Sequence, residues 1–173
     1  MLDQLTRTQK YGVSAFAAGV LTVVAVVLIA CCTRPAGDPD VAGQVRKDAL
    51  GVVAAYNAQD AHAAAAYDAP DYVGVYHGAA NTIGPAADEA AMKAQMQSTN
   101  VQWQLGEGKV TVAKAGDLAV FEAPYTFLIT TPQGGSTSEH GTWIAIFKRQ
   151  DDGSMKLWRS IASDGPPEQP AVG

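Results

Sequence analysis

Leu118-Ala119-Val120-Phe121-Glu122-Ala123-Pro124-Tyr125-Thr126-Phe127-Leu128-Ile129-Thr130-Thr131 alternates along its length, and that period decides the fold class. Successive side chains of a strand point to opposite sides of the sheet. One face therefore carries Ala119, Phe121, Ala123, Tyr125, Phe127 and Ile129, and the other carries Val120, Glu122 and Thr126. The first face is a core face and the second is a polar one. Working outward, the same period predicts strands over Val101 to Val112, Glu139 to Lys148 and Met155 to Ala162. Ala115-Gly116-Asp117, Pro132-Gln133-Gly134-Gly135 and Asp151-Asp152-Gly153 separate them and have the composition of hairpin turns.

Upstream the period is helical. Val41, Val45, Ala49, Val52, Val53 and Tyr56 recur at three- and four-residue intervals behind Asp40, which predicts a helix capped by that aspartate. Asn57-Ala58-Gln59 breaks the pattern, and Asp60 caps an alanine-rich helix from Ala61 to about Tyr67. Asp68-Ala69-Pro70-Asp71 reads as a turn, Tyr72 to His77 as a strand and Gly78 to Gly84 as a loop. Pro85 opens a third helix with Asp88 and Glu89 in its first turn, where acids complement the dipole, and with Met92 and Met96 on its apolar stripe. Three helices before a run of long strands predict an α+β domain, with the helices packed on one face of a strongly curved antiparallel sheet.

The chain of 173 residues holds 17 acidic against 12 basic residues, and the basic ones are scattered. Nucleic acid is excluded as a partner on that account, because phosphate neutralisation needs clustered Lys and Arg. The two cysteines, Cys31 and Cys32, both precede the domain, so disulfide, thiol and cysteine-metal chemistry inside it are excluded. His62, His77 and His140 are too widely spaced to pair as ligands, and no metal and no cofactor is expected. At the start, Arg7 and Lys10 precede an apolar run from Tyr11 to Ala30 that closes in Leu28-Ile29-Ala30-Cys31. This is the order of a secretory signal, although the run is also long enough for a retained span. Either way the rest of the chain lies outside the cytoplasm, anchored at the membrane of the cell envelope. The divisions are residues 1–30 as signal or anchor, 31–39 as a Pro- and Gly-containing tether, 40–164 as one domain and 165–173 as a disordered tail.

Two resemblances sharpen this reading. Leu28-Ile29-Ala30-Cys31 resembles the lipobox of bacterial lipoproteins, which implies that Cys31 receives a diacylglycerol thioether and becomes the amino terminus. Ala54-Ala55-Tyr56-Asn57-Ala58-Gln59-Asp60, together with Gly141-Thr142-Trp143 through Phe147-Lys148-Arg149, Asp152-Gly153, Met155-Lys156-Leu157-Trp158-Arg159 and Ser163-Asp164, resembles the nuclear transport factor 2-like superfamily. The likeness is to its bacterial relatives of ketosteroid isomerase and polyketide cyclase. It implies a cone enclosing an apolar pocket for a small apolar or amphipathic molecule, and it is compatible with a homodimer paired through the open face of the sheet. In the isomerases such a pocket holds a carboxylate base on the first strand, a tyrosine from the first helix and a protonated aspartic acid. Here Val52 stands where that tyrosine would be, and Tyr72 to His77 contains no carboxylate.

The residues that carry chemistry are therefore sought elsewhere. His77 ends the first strand and offers an imidazole, the side chain most used for proton transfer, and Glu122 is a strand carboxylate; these are the candidate catalytic bases of an isomerase or hydrolyase. Tyr76, Tyr125, Trp143 and Arg159 are the candidate pocket residues, Arg159 because its alternation with Leu157 and Ile161 turns it inward, toward an anionic ligand or an internal partner such as Asp164, unless the sheet bends locally. The alternative to an enzyme is a binding or assembly module in the same cone.

The Cys31→Ala variant is expected to lose incorporation of a clickable fatty acid and to keep its leader, read by in-gel fluorescence and intact mass. A variant that still ran at the processed mass and stayed membrane-bound would exclude lipidation at this residue.

Overall fold

The computed structural model describes residues 39–165. The signal or anchor, Cys31 with most of its tether, and all of the tail beyond Gly165 lie outside the described residues. Gly165 itself donates its N–H to the His140 carbonyl at 2.7 Å. Among the described residues no helix is long and apolar enough to cross a membrane.

Helix α1 spans Pro39–Asn57 and α2 spans Ala61–Ala65. Strand β1 (Asp68–Val75) and the short β2 (Thr82–Ile83) precede helix α3 (Pro85–Ser98). Five strands follow: β3 (Asn100–Leu105), β4 (Lys109–Val112), β5 (Leu118–Thr130), β6 (Ser136–Arg149) and β7 (Met155–Asp164). The sheet runs β2-β1-β7-β6-β5-β3, and β4 also pairs with β5. It is mixed rather than antiparallel throughout, because β1 lies parallel to β7 while the other pairs are antiparallel.

Three further differences from the sequence reading have local causes. Asp68 to Asp71 is the first half of β1, not a turn: Asp68 pairs with Leu157, and Leu157 donates to the Tyr67 carbonyl at 2.8 Å. Pro70 is accommodated because the ladder is irregular between the Asp68 and Val73 pairs. The predicted strand Val101 to Val112 is divided at Gly106 to Gly108 into β3 and β4, both paired to β5. A side chain at Gly106 would strike Pro124, and one at Gly108 would strike the Phe121 ring, so the chain passes close over β5 there. Helix α1 begins at Pro39, which places Asp40 inside the helix rather than before it.

The core is made by size complementarity across β5 and β6. Phe121 faces Ala145, Trp143 faces Ala123 and Phe147 faces Ala119 in register, each pairing one large ring with one methyl. These six residues are all buried. Trp103 from β3 meets Trp143 edge to face at 4.7 Å and Tyr56 of α1 at 5.7 Å, favourable arrangements for aromatic pairs. Gly141 is needed for a related reason: a Cβ there would collide with the Ser163 carbonyl of β7.

The Asn-Ala-x-Asp break after α1 fixes the helices to the sheet. Asn57 Nδ2 donates to the Trp103 carbonyl at 2.8 Å, and the Trp103 N–H donates to Asn57 Oδ1 at 2.7 Å, so one side-chain amide serves the edge of β3 as a neighbouring strand would. Gln59 turns the chain at φ 60, and Asp60 accepts from the Ala63 N–H at 2.9 Å to start α2. Replacing Asn57 by Ala leaves both Trp103 backbone groups without these partners, at a cost of about 2 kcal/mol. Urea unfolding of Asn57→Ala is expected to show a lower midpoint with an unchanged slope.

Candidate functional site

The helices and the inner face of the sheet enclose a cavity of about 440 Å³. Its wall is largely apolar, with Val52 from α1, Met92 from α3, Trp103, Phe127 and Trp143 from the sheet among the residues that line it. Its innermost polar groups come from the β1 segment, β2, α3 and β7. Tyr72 and Tyr76, four residues apart on and just beyond β1, meet hydroxyl to hydroxyl at 2.9 Å. Tyr76 donates to Ser160 Oγ at 3.2 Å, and Trp143 Nε1 donates to the same oxygen at 2.9 Å. Gly74 makes room for this cluster, since a Cβ there would crowd the Thr82 hydroxyl, Tyr76 Cε2 and the Tyr72 hydroxyl.

Two carboxyls complete it. Asp88, in the first turn of α3, is 7% exposed and accepts from Thr82 Oγ1 at 3.0 Å. Burial raises its pKa, against the opposing pull of hydrogen bonds from Thr82 and Tyr72. Asp68 is equally buried, and its Oδ2 has no hydrogen-bond partner. Desolvation pushes this carboxyl up to about 8, with the Asp88 charge adding to the shift and Lys156 opposing it. The phenols of Tyr56 and Tyr76 are likewise pushed up by burial to about 12, and that of Tyr72 is pushed up further. Burial thus keeps the hydroxyls of the inner cluster neutral and favours the protonated form of Asp68.

At the mouth, Tyr125 Oη donates to Asp164 Oδ1 at 2.9 Å, and His77 Nδ1 lies 4.0 Å from Asp164 Oδ2. His77 sits in the turn after β1, is largely exposed, and lines the cavity entrance. Tyr76, Tyr125 and Trp143 line the cavity with it, so the structure brings together four of the residues singled out from sequence. Glu122 is not among them: it is exposed on the outer face of β5, opposite Lys109 and Ile144.

Arg159 also lies outside. Between the Ile146–Arg159 and Phe147–Leu157 pairs the ladder gains one residue, Trp158, and this bulge shifts the alternation. Leu157 and Ser160 point inward, while the Arg159 guanidinium stacks at 3.9 Å on the outer Trp158 ring and donates to the carbonyls of Asp71 and Trp158 at 2.9 and 2.7 Å. The expectation of an inward Arg159 fails because it assumed an unbroken period. Asp68, Asp88 and Ser160 were not singled out. Asp68 has turn-like neighbours, Asp88 occupies an ordinary position for a helix-dipole acid, and Ser160 faces inward only because of the bulge.

Asp68 makes stability depend on pH with a definite sign. Its folded pKa lies above the unfolded value of about 4, so across that window the folded chain holds a proton that the unfolded chain has lost. Stability is full below the window and falls as pH rises through it, and Asp88, shifted in the same direction, adds to the slope. Urea midpoints of the wild type are expected to fall between about pH 4 and pH 8, and those of Asp68→Asn to fall less. A slope unchanged by Asp68→Asn would contradict the assignment.

No protein-family model matches the sequence, and no curated protein matches it. Solved structures do match. A ketosteroid isomerase-like protein from Erwinia carotovora superposes with a TM-score of 0.65 at 16% identity, over 75% of this chain and 100% of that one. A candidate aromatic ring hydroxylase from Novosphingobium aromaticivorans gives 0.68 at 16% identity, over 75% and 92%. The protein Aln2 from a Streptomyces species gives 0.61 at 16% identity, over 75% and 94%. At these identities the likeness is one of fold: an α+β domain with a curved, unclosed mixed sheet.

Proposed function

We propose that this domain binds a small, mainly apolar molecule inside its cone and is held at the cell envelope by a lipid on Cys31. One observation carries the ligand reading. The cavity of about 440 Å³ has a predominantly apolar wall with a few convergent polar groups, the arrangement that small-molecule sites share. The polar groups are clustered rather than scattered. Tyr72, Tyr76, Ser160 and Asp88 form one connected patch, so a ligand is oriented by its polar end while its body meets Trp103, Phe127 and Met92. The anchoring part rests on the apolar run and the lipobox-like tetrapeptide alone.

A second reading, isomerase or hydrolyase chemistry, is favoured by one feature: carboxyls with raised pKa values stand beside phenolic donors in the same cavity. Of the bases considered from sequence, His77 lines the cavity and Glu122 does not, so proton abstraction in this reading falls to His77 or Asp88, with Tyr76 or Asp68 donating to the substrate oxygen. Fold likeness by itself supports neither chemistry over the other.

The ligand reading is tested with Ala162→Leu, which puts added bulk on the cavity wall beside Trp143. Titrating the full chain with naphthylmethanol is expected to change its tryptophan emission saturably, with affinity at least about ten-fold weaker in the variant. Equal affinity in both proteins places the ligand elsewhere and overturns the reading.

A further inference from the structure

The charges around the cavity are one-sided. Among the described residues that line it, Asp68, Asp88, Glu139 and Asp164 are acidic, His77 is the one basic type present, and there is no Lys or Arg. Three of these acids differ in how well they are satisfied. Asp88 accepts from Thr82, and Asp164 accepts from Tyr125. Asp68 is 93% buried, and its Oδ2 has no hydrogen-bond partner. The cation whose charge acts on it, Lys156, donates to the Ala66 carbonyl at 2.6 Å and does not line the cavity. A buried carboxyl oxygen without a hydrogen-bond partner costs about 1 to 3 kcal/mol, so its persistence on a cavity wall points to a partner supplied by the occupant.

Resting on the reading of the cavity as a ligand site, we propose that its occupant is a protonated amine carried on an apolar body, with the ammonium against Asp68 and Asp88. An ammonium has donors and no acceptor, so it complements a wall of carboxylate oxygens, whereas a carboxylate or phosphate ligand would bring acceptors to acceptors. The flanking rings work in the same direction. Tyr72, Tyr76, Trp103 and Trp143 line the same space, and aromatic faces attract cations. Glu139 and Asp164 near the mouth extend the negative lining outward and favour the approach of a cation over that of an anion. An ammonium beside Asp68 favours the ionised carboxylate, so the proton that burial holds on Asp68 leaves as the ligand arrives. The groups that face Asp68 in this exchange are Asp88 from α3, Tyr72 and Tyr76 from the β1 segment and Lys156 from β7.

The test compares three probes of one shape and different charge on the purified full chain at neutral pH: naphthylmethylamine, naphthylmethanol and naphthoate. Tryptophan emission or calorimetry is expected to show the amine binding at least about ten-fold tighter than the alcohol, and naphthoate weakest. Asp68→Asn, which keeps the shape and removes the charge, is expected to lose most of the preference for the amine over the alcohol. Asp88→Asn, read in the same way, serves if the first variant does not fold. Alcohol binding as tight as the amine, or an amine preference that survives in both folded variants, overturns the proposal while leaving the cavity as a ligand site. If none of the three probes binds, the ligand reading falls and this inference falls with it.

Discussion

The parallel ladder between β1 and β7 is the contact on which the rest of the structure depends. Parallel neighbours cannot be joined by a tight turn, and here nearly the whole domain intervenes between the two strands. That one pairing carries Asp68, Tyr72 and Tyr76 from the helical half of the chain to Leu157 and Ser160 in the sheet half. The Tyr67 carbonyl receiving the Leu157 N–H marks where it begins. Lys148 and Trp158 both donate to Asp71 Oδ2 on the outside of the same junction, at 2.6 and 2.9 Å, and hold Asp71 against the two strands beyond it. Without the ladder there is no enclosed space, because α1, α2 and α3 would cover an open sheet.

Regular strands and capped helices were legible from residue types, because each obeys a local rule. The period of β5 survives intact from Ala119 to Ile129, Pro85 begins α3 as its fixed φ dictates, and Asp60 caps α2. What could not be read locally was imposed from a distance. Asp68-Ala69-Pro70-Asp71 has every mark of a turn, yet its backbone groups were needed by β7, and tertiary pairing overrode propensity. Arg159 was misplaced because a bulge leaves no dependable signature in composition, and one extra residue exchanges the faces of everything after it. The pocket aromatics and His77 were accessible to sequence reasoning. The buried acids were not, since an aspartate at a helix start or beside a proline has a commonplace explanation in each case.

The site therefore departs from local rules where it carries its polar groups. An unpartnered Asp68 and a raised Asp88 lower the stability of the domain, and groups of this kind are concentrated at functional sites. The surrounding core tolerates this because it is strongly specified: Phe121, Trp143 and Phe147 each have an alanine methyl opposite, and Trp103 joins helix, sheet and cavity wall in one contact set. The two demands are separated in space, with close packing toward Phe121 and Phe147 and open volume toward Tyr76 and Asp164.

The bulge at Trp158 has a consequence for how such a cone changes its preference. With the same residues and an unbroken ladder from Leu157 onward, Arg159 would point inward and Ser160 outward. The hydroxyl that now receives Tyr76 and Trp143 would be exchanged for a guanidinium, and the interior would favour anions. A single register step, with no change of composition, is thus enough to invert the polarity of the chamber. Insertion or loss of one residue in the closing strand would change the charge of the chamber more abruptly than substitutions along its wall.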